Sequence, residues 1–93
     1  MPKLNALLAE NADANKDDVL AIKALLRKLG LYEAPEWGMT DFPDHELFKA
    51  IRAFQDKAGL NVDGRMKPDG ETETALHEAA RMLQGLASGK IGL

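Results

Sequence analysis

The stretch Ala50-Ile51-Arg52-Ala53-Phe54-Gln55-Asp56-Lys57-Ala58-Gly59-Leu60-Asn61-Val62-Asp63-Gly64 leaves the chain little freedom in how it folds. Ile51 and Phe54 lie three apart and so share one face of a helix. Gly59 can take the positive φ that ends a helix, and Leu60 can then fold back on the last turn, with Val62 directed inward after it. Asp63-Gly64 makes a second sharp turn. The succession has an earlier counterpart. Lys28-Leu29-Gly30-Leu31 leads to Trp37-Gly38-Met39, as Lys57-Ala58-Gly59-Leu60 leads to Asp63-Gly64-Arg65-Met66. Two copies are too few for a solenoid. Helices joined by two structured loops predict an all-α chain, a compact three-helix bundle.

The rest of the pattern fills in that bundle. Asn15 is placed to cap a first helix, with Asp17 and Asp18 where its dipole favours negative charge. Val19, Ile22, Leu25, Leu26 and Leu29 form its apolar stripe, with Lys23, Arg27 and Lys28 assigned to other faces, and Gly30 stops it. Asp44 caps a second helix that buries Leu47, Phe48, Ile51 and Phe54 and leaves Lys49, Arg52, Asp56 and Lys57 wet. Thr72 opens a third, with Glu71 and Glu73 near its positive end and Leu76, Ala79, Ala80 and Leu83 inward. Gly85 or Gly89 stops it. The expected organisation is an N-terminal segment over 1–14, the domain over 15–84 and a tail over 85–93. Leu4, Leu7 and Leu8 recur at helical spacing, so the first segment reads as a short extra helix or a linker, or as a leucine face docking on the domain or on a protein partner.

Ninety-three residues close one core rather than two. An apolar fraction of 45% with 29% charged residues is that of a globular chain, not a disordered one. A net charge of −3 argues against nucleic acid and anionic membrane surfaces, since phosphate binding needs clustered cations that are missing. No apolar run approaches the roughly 20 residues of a membrane helix, and Met1-Pro2-Lys3-Leu4 leads into no signal-peptide core.

Catalytic groups are scarce. The chain has no cysteine, and its one serine is Ser88, in the expected tail. His45-Glu46 and His77-Glu78 each begin like a zinc-protease helix, but Lys49 and Arg81 stand where the second metal-binding histidine must be. Asp41, Asp44, Asp63, Asp69 and Glu71 lack calcium-loop spacing and suit caps and turns. The expectation is a noncatalytic chain without metal or cofactor.

Over residues 17–83 the chain resembles the three-helix peptidoglycan-binding domain found on bacterial cell-wall hydrolases. The matching residues are Val19, Leu25 and Leu26; Leu29-Gly30-Leu31-Tyr32; Ala50-Ile51 and Phe54-Gln55; Gly59-Leu60; Val62-Asp63-Gly64; Pro68; and Thr72 with Leu76. It departs from the family at Leu47, where a threonine is usual, in the extra loop length of Glu33 to Trp37, and in the longer turn Lys67-Pro68-Asp69-Gly70-Glu71. The resemblance implies binding of peptidoglycan glycan or stem peptide, and a periplasmic or cell-wall location if the stretch belongs to an exported chain. The alternative is a protein interaction or assembly module that keeps the fold without binding glycan.

Sugar rings are bound by aromatic faces, and hydroxyls and peptide carboxylates by polar and charged side chains. The resemblance and loop position make Tyr32, Trp37, Gln55, Asp63 and Arg65 the candidate ligand-binding residues. Structural duties compete for most of them. Tyr32 can lid the core, Trp37 can anchor its loop, Gln55 can bond loop backbone, and Asp63 can serve its own turn. Arg65 has the least structural reason to be where it is.

Overall fold

The first two helices begin and end by the same local chemistry. In a computed structural model that describes residues 3–87, α1 spans Lys16–Lys28, α2 spans His45–Lys57 and α3 spans Glu71–Ala87. Asn15 caps α1 by accepting from the Asp18 N–H, and Asp44 caps α2 by accepting from the Leu47 N–H. Both helices close on a Schellman motif. Gly30 N–H donates to Arg27 O and Leu31 N–H to Leu26 O; Gly59 N–H donates to Asp56 O and Leu60 N–H to Gln55 O. The closing glycines have φ of 78° and 73°, where an L side chain is disfavoured.

The α1 helix packs against both α2 and α3. Val19, Ile22, Leu26, Leu47, Phe48, Ile51, Met66 and Leu76 form the buried centre. The arrangement is the all-α three-helix one expected.

Several local expectations need correction. The N-terminal segment is not helical, and Leu8 instead forms an isolated antiparallel bridge with Met66. Extended backbone wins because the first turns of α1 and α3 offer it carboxylate acceptors: Asp18 accepts from the Asn5 and Ala6 N–H groups, and Glu73 from that of Leu4. Leu4 and Leu8 are therefore in the core, docked on the domain as one of the alternatives had it. Lys23, assigned to a face other than the apolar stripe, is fully buried. Val62 and Leu83, both expected inward, are exposed. Thr72 does not cap α3; the helix begins one residue earlier, and Gly70 O accepts from the Thr74 N–H. The helix also passes Gly85 and reaches Ala87, while residues 88–93, the rest of the expected tail, lie outside the described residues.

Candidate functional site

Two clefts are formed by the loops that flank α2, and the candidate residues divide between them. A cleft of about 690 Å³ lies between residues 31–37 and the outer face of α2, with Tyr32, Pro35, Trp37, Glu46, Lys49 and Ala53 in its wall. A second, of about 360 Å³, lies between the turn after α2 and the start of α3; Asp63, Arg65, Lys67, Glu71 and Thr72 line it. Tyr32 and Trp37 belong to the first cleft, Asp63 and Arg65 to the second.

The first cleft rests on Lys23. Its ammonium, without solvent exposure, donates to Thr40 O at 2.9 Å, Phe42 O at 2.7 Å and Asp44 Oδ2 at 3.1 Å. Burying a cation is costly unless its donors are satisfied, and these three acceptors satisfy them. The Tyr32 hydroxyl donates to the same Asp44 oxygen at 3.2 Å, and the ammonium lies 5.6 Å from the Tyr32 ring centroid. Asp44 thus caps α2 through one carboxylate oxygen and receives Lys23 and Tyr32 on the other. Burial, and then the Asp44 charge beside it, push the Tyr32 phenol up to about 12.

The consequence is a loop tied from beneath. Thr40 and Phe42 are fixed through their carbonyls, while Phe42 is 66% exposed and Trp37 80% exposed. Trp37 does not anchor its loop; Lys23 does. Tyr32 is buried and forms part of the cleft floor.

The second cleft rests on Gln55, which is also buried and fully engaged. Its Oε1 accepts from Asp63 N–H at 3.2 Å and Gly64 N–H at 2.9 Å. Its Nε2 lies 2.9 Å from Asp63 Oδ1 and 3.1 Å from both Arg65 O and Thr72 Oγ1. Gln55 therefore acts on any ligand only through the turn it holds. Asp63 Oδ1 also accepts from the Arg65 N–H at 3.0 Å, and this bond, with that from Gln55, holds the Asp63 carboxyl below the usual carboxylate range. The Arg65 side chain is exposed on this braced turn and forms no ion pair with any described residue.

Lys23 is not among the candidate residues above, although its position carries a signal. Lys23 lies four residues after Val19 and three before Leu26, within the apolar stripe rather than beside it. Glu46 and Lys49 carry opposite charges into the first cleft; Lys49 was legible only as the wet side of α2, and Glu46 only as part of a failed zinc motif.

The Gly59-Leu60 stop, the Gln55-braced Asp63-Gly64 turn and the packed Leu76 all fall within the span that a known family's model matches. The family model described as "Putative peptidoglycan binding domain" matches residues 15–76, two thirds of the chain. The chain belongs to the peptidoglycan binding domain family. No curated protein and no solved structure matches it. The family match covers all of α1 and α2, both clefts' loops and the first turns of α3, and it begins after the N-terminal segment that carries Leu4 and Leu8.

Proposed function

We propose that the chain is a noncatalytic binding module that tethers a larger protein to peptidoglycan. In this reading Trp37 is the platform for a sugar ring in the first cleft, with Tyr32 in its floor. Arg65 is the cation for a stem-peptide carboxylate in the second, on the turn that Gln55 and Asp63 hold. The observation that carries the reading is Trp37. It is the only tryptophan in the sequence, and it is four-fifths exposed on a loop that Lys23 secures at Thr40 and Phe42. An indole left in water without a packing duty suits a ligand face, because sugar C–H groups cover an aromatic ring without requiring a deep pocket. Arg65 supports it with a guanidinium that pairs with no carboxylate among the described residues and matches carboxylate geometry.

The protein-interaction alternative rests on the N-terminal leucines, the acidic balance and the altered loops; the burial of Leu4 and Leu8 weakens the first of these and leaves the other two. The test is retention on purified sacculi. Wild type is expected in the pellet, with Trp37→Ala and Arg65→Ala each shifted toward the supernatant at unchanged thermal stability. Absence of wild-type retention, or equal retention of all three, would count against the reading.

A further inference from the structure

The turn that carries Arg65 is braced from inside by Gln55, and it is also held from outside by the N-terminal segment. Leu8 N–H donates to Met66 O and Met66 N–H donates to Leu8 O, each at 2.9 Å. Two residues on, Glu10 Oε1 accepts from Arg52 Nη1 at 2.7 Å. The Arg52 side chain lies on Gly64 so closely that a Cβ there would fall 2.8 Å from Nη1. Leu8 thus fixes the residue after Arg65, and Glu10, through Arg52, covers the residue before it.

The segment that does this is itself secured at its other end. Asp18 accepts from the Asn5 and Ala6 N–H groups at 3.0 and 3.1 Å and from Asn5 Nδ2 at 2.9 Å. Glu73 accepts from the Leu4 N–H and, at 2.6 Å, from that of Asp69. Both carboxylates are buried, so their acceptor capacity is spent on backbone rather than on water.

We infer that residues 4–10 form a positioning strap for the Asp63–Met66 turn, with Leu8 and Glu10 setting the direction in which Arg65 is presented. The working module therefore includes the strap and exceeds the family match at 15–76. This goes beyond the peptidoglycan reading and is tested independently of it.

The experiment is amide hydrogen exchange by NMR on the full chain, with Asp18→Asn as the principal variant. That substitution weakens the strap's attachment at a site remote from Arg65. The Met66 amide is expected to exchange about tenfold faster or more, while the interior amides of α2 keep wild-type protection. Unchanged protection of Met66, or a fall shared equally with α2, overturns the proposal. Should Asp18→Asn not fold, Glu10→Gln removes one partner of a solvent-exposed ion pair. The Gly64 and Arg65 amide resonances are then expected to move, and their constancy overturns the proposal. Sacculus retention serves as a second arm, with Asp18→Asn expected to bind less although Trp37 and Arg65 are intact. If wild type is not retained at all, the peptidoglycan reading fails while the exchange measurement still decides the strap.

Discussion

Lys23 shows how one side chain connects the core to the proposed binding surface. Lys23→Met preserves length and apolar volume but leaves Thr40 O, Phe42 O and one Asp44 oxygen without their common donor. Removing one partner of a buried ion pair is expensive, and about 3 kcal/mol is expected here, measured as a lower urea midpoint at unchanged slope. That is a large share of the stability of a small domain. Tyr32 makes a smaller, pH-dependent contribution. Because folding raises its phenol pKa from about 10 to about 12, the fold favours the neutral ring. The contribution is fully present below pH 10 and is lost as pH rises from 10 to 12. Tyr32→Phe is expected to cost about 1 kcal/mol at neutral pH and to flatten that alkaline loss, both read from urea titrations across pH. The Tyr32 lid was one of two readings open from the sequence, because an aromatic just after a helix stop suits a core. Its shared acceptor with Lys23 was not legible, since it depends on a loop folding back over α1.

At the scale of elements, both caps, both glycine stops and the three helices follow from local sequence. Asn15, Asp44, Gly30 and Gly59 act within a few residues of themselves, and neighbouring residues are what a sequence displays most directly. The N-terminal segment is the counterexample. Leu4, Leu7 and Leu8 have helical spacing, but the outcome is decided by acceptors at Asp18 and Glu73 and by Met66, which are distant along the chain. Two glycines separate the local contribution from the long-range one. A Cβ at Gly59 meets nothing within 4 Å, so Gly59→Ala is expected to cost only the backbone's roughly 1–2 kcal/mol. Gly64 has a φ of 70° and also meets Arg52. Gly64→Ala is expected to cost more than Gly59→Ala in thermal unfolding, because relieving the collision displaces Arg52 from Glu10. Equal costs would mean that the Arg52 cover contributes nothing.

For the whole molecule, the motif that specifies the fold is largely consumed in making it. Ile51, Phe54 and Gln55 are buried, and Gly59, Asp63 and Gly64 serve helix stop and turn. The proposal leaves to a ligand Trp37, on a loop that Lys23 holds at Thr40 and Phe42, and Arg65, on a turn held by Gln55 and the proposed strap. The division of these residues into two clefts could not be read from the sequence, since it depends on how the loops before and after α2 diverge. Trp37 supplies its own reporter, because all tryptophan emission from this chain comes from that one exposed ring. The most direct measurement is a fluorescence titration of the purified chain with soluble peptidoglycan fragments. A sugar ring covering the indole predicts a saturable blue shift that Arg65→Ala weakens by raising the apparent Kd. Emission that stays solvent-like at all fragment concentrations would contradict the account.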